Sequence, residues 1–241
     1  MSVIRGARER ARIEVTAAIK EEARRQLLAE GPSRLSLRAV ARELGMVSSA
    51  LYRYFASRDD LLTALIIDAY DSLGEDAEQA LDRSRSEDPV QRWIAVCRAV
   101  RGWALAHPHE YALIYGSPVP GYSAPLDTIG PASRVGLALI AVAEDAHAAG
   151  ALVLPDETVT PIPEGVRADA WRLVRDLDRN LPAGAVAGLV AAWAQLFGLI
   201  SFELFGQFER VVDARDEFFD HTVAALAHQV GIRRSPVLPA E

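Results

Sequence analysis

Four polar side chains between residues 47 and 54 are of the kinds that read the edges of DNA bases. They are Ser48, Ser49, Tyr52 and Arg53, and they surround the first turns of a short helical pattern. Short hydroxyls donate to or accept from several base edges, and an arginine can read guanine. A helix that enters the major groove near its N-terminus presents such residues first. The alternative is a solvated face on a small helical bundle.

A second set of residues is suited to holding backbone phosphates, which fixes the register on DNA without reading its sequence. Its members are Ser36, Arg38, Tyr54 and Arg58. Val47 stands at the cap of the second short helix, where it offers no side-chain oxygen to the free backbone N–H groups. Ser48 could shift into the capping role, or a DNA phosphate could accept those bonds. The sequence leaves both open.

Two short helices separated by a glycine turn must position these side chains. Leu37, Val40, Ala41 and Leu44 repeat at helical spacing, which predicts a first helix over 36–44, with Ser36 as its cap. Gly45 can supply the positive φ of a sharp turn. Residues 47–54 then form the second helix. This is a helix-turn-helix pattern, whose second helix enters the major groove.

The motif L-Y-R-Y-F-A-S-R-D-D-L-L over residues 51–62 resembles the signature of TetR-type repressors, L-Y-x-H-F-x-x-K-x-x-L. The preceding G-M-V-S-S-A fits the turn and the start of the recognition helix, so the resemblance covers roughly residues 8–66. Val47 replaces the Ser or Thr usual in the family, and Tyr54 replaces a common phosphate-contacting His. The resemblance implies a transcription regulator that binds a palindromic double-stranded DNA operator as a homodimer.

The stretch W-A-L-A-H-P-H-E-Y-A-L-I-Y-G, residues 103–116, resembles the WHG ligand-binding domain that follows some TetR-type heads. The likeness continues through S-P-V-P-G-Y-S-A-P and A-W-A-Q-L-F-G-L-I-S-F-E-L-F-G, over roughly residues 90–230. It implies an unknown small-molecule ligand. A pocket needs apolar walls, and the candidate lining residues are Trp103, Tyr111, Tyr115, Tyr122, Trp171, Trp193 and Phe197. Plain core packing is the alternative for each.

Charge is divided unevenly along the 241 residues, whose net charge is −7. Residues 1–58 hold twelve Lys or Arg against six Asp or Glu, and residues 59–241 hold fourteen against twenty-seven. A basic head suits a polyanion. The single Cys97 and the absence of an apolar leader fit the cytoplasm. No cofactor is expected, and H-P-H-E at residues 107–110 does not have the spacing of a zinc motif.

The whole chain is predicted to be all-α, with about nine main helices. A first helix over 8–30 should bury Ile13, Ala17, Ala23, Leu27 and Leu28. A capping box at Ser57 should start a long helix to about residue 81. The expected domains are 1–57 for DNA binding, 58–82 as a connecting helix, and 83–241 for ligand binding and dimerisation. Further helices are predicted at 89–106, 109–115, 128–149, 168–177, 183–206 and 214–230.

The apolar run at 185–206 is long enough to span a membrane. Gln195 and Glu203 weigh against a span, since a charge inside one is costly. Its small residues instead favour close helix packing, so helices 183–206 and 214–230 are predicted to form the homodimer interface. The expected function is a ligand-released repressor. The alternative is a small helical enzyme or carrier, although no nucleophile, phosphate loop or catalytic acid pair supports an enzyme.

Overall fold

The computed structural model describes residues 2–154, 156 and 161–234. Within these ranges the chain is all-α, as predicted, apart from one isolated antiparallel bridge between Leu152 and Ile232. Ten α-helices follow one another: α1 (Ser2–Glu30), α2 (Leu37–Glu43), α3 (Ser48–Leu51), α4 (Arg58–Arg83), α5 (Pro89–Ala106), α6 (Pro108–Tyr115), α7 (Ile129–Ala148), α8 (Glu164–Asp176), α9 (Ala183–Leu204) and α10 (Arg215–Val230).

Three helices differ from the prediction by more than two residues at one end. Helix α1 begins at Ser2, six residues before the predicted start at residue 8. Helix α3 ends at Leu51, because the next turn tightens: the Arg53 N–H donates to Ala50 O and the Tyr54 N–H to Leu51 O, each three residues back. Helix α8 begins at Glu164, directly after Pro163, whereas its predicted start is at residue 168.

The helices form two compact units. The head unit comprises residues 1–71 and 109–131, and the body unit comprises residues 72–108 and 132–241. The first half of α4 therefore belongs to the head unit and the second half to the body unit. Helix α6 and the proline-rich loop after it group with the head unit. These units do not follow the predicted boundaries at residues 57 and 82, which stay predictions about the division of function.

The core of the head unit holds α2 and α3 in place. Leu51 and Phe55 from the helix-turn-helix are buried with Leu61 and Leu62 from α4, and Val119 joins them from the loop after α6. Burying such side chains contributes roughly 1.5–3 kcal/mol each. The predicted burial of Ile13, Ala17 and Leu28 is wrong, because all three are exposed, while Ala23 is buried as predicted. The first buried side chain of α1 among those described is Ile19.

The body unit packs α9 between α8 and α10, and α10 also packs on α5. Gly188 of α9 permits a close approach, since a Cβ there would lie 3.1 Å from the Cα of Val230 on α10. Trp93 and Cys97, one turn apart on α5, are fully buried. Burial raises the pKa of the Cys97 thiol far above its ordinary value, so this side chain is a neutral, unreactive core residue.

Candidate functional site

The turn between α2 and α3 has the geometry that the sequence predicts. The Ser36 Oγ accepts from the Ala39 N–H at 3.4 Å and caps α2, while Gly45 adopts a φ of +65°. Val47 is extended and 70% exposed, and it makes no side-chain hydrogen bond at the start of α3. Helix α3 therefore begins with an N-terminus that no side chain caps.

The predicted base-reading residues lie together on the open side of α3. Ser48, Ser49, Tyr52 and Arg53 are all exposed, whereas Leu51 on the opposite side is completely buried. Arg53 has no ion-pair partner among the described residues. The helix is anchored by its apolar face and offers two hydroxyls, a phenol and a free guanidinium to solvent.

The four predicted phosphate-holding residues are placed differently from one another. Arg38 is exposed and free of ion pairs within the described ranges, and Tyr54 is half-buried against the head core. The hydroxyl of Ser36 already caps α2. Arg58 is engaged inside the protein, because its guanidinium donates to Pro32 O at 2.7 Å and to Asp59 Oδ1 at 3.2 Å. The geometry thus supports Arg38 more directly than Arg58.

Among the described residues, arginines without an ion-pair partner are more common in the head unit than in the body unit. Several body arginines are held by carboxylates at 2.6–2.7 Å, in the pairs Arg92–Asp145, Arg98–Asp220, Arg101–Glu203 and Arg134–Glu78. Six head arginines are exposed and have no ion-pair partner among the described residues: Arg8, Arg10, Arg12, Arg34, Arg38 and Arg53. Arg8, Arg10, Arg12 and Arg34 were not predicted as site residues, because pairing cannot be read from sequence.

An open groove of about 860 Å³ runs along α1 in the head unit. Arg12 and Ile13 of α1 line it together with Tyr54 and Phe55, the residues that follow α3. Further along the groove Lys20 and Arg24 pair with Asp68 of α4 at 2.7 and 2.8 Å. The groove therefore joins the first half of α1 to the end of the predicted reading helix.

Three of the candidate ligand-lining aromatics, Tyr111, Tyr115 and Tyr122, lie in the head unit. Tyr111 is buried, and Tyr115 contacts both it and Tyr70 of α4, at centroid distances of 5.2 and 5.9 Å. The Tyr122 hydroxyl lies 2.9 Å from Thr63 Oγ1, also on α4. Burial raises the pKa of Tyr115 well above its ordinary value, so this phenol stays neutral.

The other four aromatics belong to the body unit. Trp103 is buried, donates from Nε1 to Ser72 Oγ on α4 at 2.9 Å, and stacks on His107 at 5.0 Å. Phe197 is buried beside Trp193, whose ring is 5.6 Å away and 40% exposed. Trp171 is exposed on α8. The seven candidates thus fall into two units, and Trp171 and Trp193 face solvent.

Metal sites and membrane-spanning helices are two further features that the described residues could form. No group of three metal-ligating side chains is found among them. Residues Leu126–Ala148 and Ala183–Leu204 are long and apolar enough to cross a membrane by length and composition, but core helices of soluble proteins have the same properties. Neither observation assigns a site.

Comparison with known proteins identifies both parts of the chain. The family model for bacterial regulatory proteins of the tetR family matches residues 19–65, and a tetracyclin repressor-like C-terminal domain matches residues 93–226. The HTH-type transcriptional regulators Rv1816 of Mycobacterium tuberculosis (strain ATCC 25618 / H37Rv) and Mb1846 of Mycobacterium bovis are each 43% identical over 208 residues, covering 84% of this chain and 86% of the relative.

Solved structures give the same result for the fold. The crystal structure of SCO4313 is 36% identical, with a TM-score of 0.73 over 91% of this chain and 98% of that one. The complex of RolR with the ligand resorcinol is similar at a TM-score of 0.52 and 14% identity, over 97% of this chain and 98% of RolR. At that identity the likeness to RolR concerns the fold alone.

Proposed function

Since this chain belongs to the TetR family of bacterial regulatory proteins, we propose that it is a repressor that binds a palindromic operator as a homodimer and leaves it when a small molecule binds. It is a helix-turn-helix transcriptional regulator, as predicted. The alternative of an enzyme is wrong, because the matching family and the named relatives are transcriptional regulators. The observation that supports DNA as partner is the exposed, unpaired cationic surface around α3 in an acidic chain.

Operator reading is assigned to the exposed side of α3. Ser48, Ser49, Tyr52 and Arg53 contact base edges, while Arg38 and Tyr54 hold phosphates on either side. The uncapped N-terminus of α3 suits a phosphate oxygen, because free backbone N–H groups and the helix dipole both favour an anion. Two heads occupy successive major-groove faces about 34–36 Å apart.

Dimerisation is assigned to α9 and α10. An apolar stripe stays exposed in the single chain, formed by Val190 and Phe202 of α9 and by Phe205 directly after it, and Trp193 of α9 and Phe218 of α10 are exposed as well. A Cβ added at Gly198 of α9 would have no neighbouring atom within 4 Å, so another helix can approach this position closely. Exposed apolar surface of this extent is typical of an interface, and a second copy fits it because the stripe is self-complementary in chemistry.

Ligand release is assigned to α4, a single helix shared by both units. Trp103 bonds Ser72 of α4 in the body unit, and Tyr115 contacts Tyr70 of α4 in the head unit. A ligand that displaces either aromatic would shift α4. Operator affinity then falls because the ligand prefers a head spacing that does not match the operator. The ligand-binding domain is further proposed to be of WHG type, and the protein to work in the cytoplasm.

The experiment is operator binding with the chain's own upstream DNA. Fluorescence anisotropy should show binding at least a thousandfold tighter than to a random duplex at the same salt, on the order expected for specific regulators. Equal affinity for the two duplexes would remove the proposal. Mass spectrometry of the purified protein, followed by release of operator on adding the bound molecule, tests the ligand.

A further inference from the structure

Helix α1 extends well beyond the core of the head unit. Its 29 residues span about 44 Å at the rise of an α-helix, yet its first buried side chain among those described is Ile19. Residues 8–14, called the α1 arm below, are all exposed. A solvent-exposed helical extension gains little stability from packing, so the arm is not explained by the fold of the head.

The arm carries three of the unpaired arginines. Arg8, Arg10 and Arg12 form no ion pair with any described residue. Cations further along the same helix are paired: Lys20 and Arg24 with Asp68, and Arg25 with Glu22 at 2.6 Å. Pairing on α1 therefore begins where the core begins, and the arginines beyond that point are available to an external anion.

Two of these arginines share a face. Arg8 and Arg12 are four residues apart, so their side chains lie one turn apart on one side of α1. The same side carries Ile19 and Ala23, which are buried in the head core. Arg10 lies on the opposite side of the helix. Past the edge of the core, the stripe that faces the head thus changes from apolar residues to arginines.

The α1 arm passes the end of the reading helix. Arg12 lines the groove together with Tyr54 and Phe55, which lie three and four residues after the end of α3. Arginine is suited to phosphate because its planar donors make charge-assisted, bidentate hydrogen bonds. We propose that the α1 arm is a second DNA-binding element, in which Arg8 and Arg12 hold backbone phosphates that flank the half-site read by α3. This proposal rests on operator binding as described above.

The contacts of the α1 arm should appear in the salt dependence of operator affinity. Each phosphate that is neutralised contributes about 0.9 to the slope of log affinity against log salt. Two phosphates per arm therefore account for roughly 1.8 per protomer, and roughly 3.6 for two arms on one operator. Glu9 also lines the groove, where its carboxylate opposes the phosphates, so removing its charge should strengthen binding.

The test compares Arg8→Gln/Arg12→Gln with the matched control Arg10→Gln, since glutamine removes the charge and keeps the helix propensity of arginine. Operator affinity of the full-length protein is measured by anisotropy over a range of salt concentrations, with circular dichroism as a check of folding. The double variant should lose roughly 3.6 units of salt slope and bind roughly tenfold or more weaker at physiological salt. Arg10→Gln should change both by much less, and Glu9→Gln should bind tighter.

Two results would overturn the assignment. One is a salt slope and affinity of Arg8→Gln/Arg12→Gln that equal those of the unaltered protein. The other is a loss in Arg10→Gln as large as in the double variant, which would reflect net charge and not a binding face. Both are distinct from failure of the operator proposal, which would appear as non-specific binding by the unaltered protein itself.

Discussion

Two arginine–carboxylate pairs on α5 have nearly the same geometry and very different burial, which allows a sharp prediction of stability. Arg101 makes two hydrogen bonds of 2.7 Å to Glu203 of α9, and the two side chains are 12% and 8% exposed. Arg98, three residues earlier, makes bonds of 2.7 and 2.6 Å to Asp220 of α10, with exposures of 58% and 35%. Burial is the variable that separates them.

Removing Arg101 leaves a buried carboxylate without its partner. Arg101→Met should therefore lower the free energy of unfolding by about 3–5 kcal/mol, the cost of breaking a buried pair from one side. Glu203→Gln should cost less, about 1–2 kcal/mol, because the guanidinium keeps its 2.7 Å contact with the exposed Asp216. Arg98→Met breaks an exposed pair and should cost about 0–1 kcal/mol.

The assay is thermal or urea unfolding at one fixed protein concentration, because the proposed dimerisation would make the midpoint depend on concentration. For a chain of this size, 3 kcal/mol corresponds to a fall in Tm of roughly 6–12 °C. The reasoning is refuted if Arg101→Met and Arg98→Met shift the midpoint equally. It is also refuted if Arg101→Met/Glu203→Met is no more stable than Arg101→Met, since the double change removes the stranded charge.

The remaining predictions concern DNA, assembly, the switch and acid. Tyr52→Ala or Ser48→Ala should weaken operator binding by roughly 1–3 kcal/mol with the fold intact, and unchanged anisotropy in both would remove them from the reading face. Ala194→Glu on the exposed side of α9 should give monomers or insoluble protein, and a soluble unaltered monomer at micromolar concentration would contradict the dimer. Trp103→Phe removes the hydrogen bond to Ser72 without opening a large cavity. It should alter the ligand-induced release of the operator more than the operator affinity measured without ligand, and a release like that of the unaltered protein would place the pocket elsewhere. The hydrogen bond from Arg98 lowers the pKa of Asp220. The stability that the ionised Asp220 contributes is therefore complete above the ordinary pKa range of aspartate and is lost as the pH falls through the lowered pKa. Acid unfolding of Asp220→Asn identical to that of the unaltered protein would contradict this contribution.

Much of the head could be predicted because its local signals agree with one another. The Ser36 cap and the positive φ of Gly45 are both confirmed, since helix caps and glycine turns depend on neighbouring residues alone. The Ser57 cap is confirmed as well, with the Asp60 N–H donating to its Oγ at 3.0 Å.

The features that could not be predicted depend on contacts between residues far apart in the sequence. Ile13 matches the helical period of α1 and was predicted buried, but periodicity does not tell how far a core extends along a helix. The phosphate-holding role of Arg58 stays a prediction, but the hydrogen bond from its guanidinium to Pro32 O, 26 residues away in sequence, could not be predicted from neighbouring residues. The grouping of α6 with the head unit could not be predicted either, because it depends on non-local contacts such as that of Tyr122 with Thr63.

Net charge describes this protein poorly, and the pairing of its arginines explains why. At −7 the chain should be repelled by a polyanion. Carboxylates neutralise several body arginines at close range, whereas exposed arginines of the head unit keep their charge for an external partner. Since the Debye length is about 8 Å at physiological salt, a phosphate beside α3 is influenced by charges within that distance far more than by charges beyond it. Local unpaired charge, and not the sum over the chain, therefore decides whether this surface binds DNA.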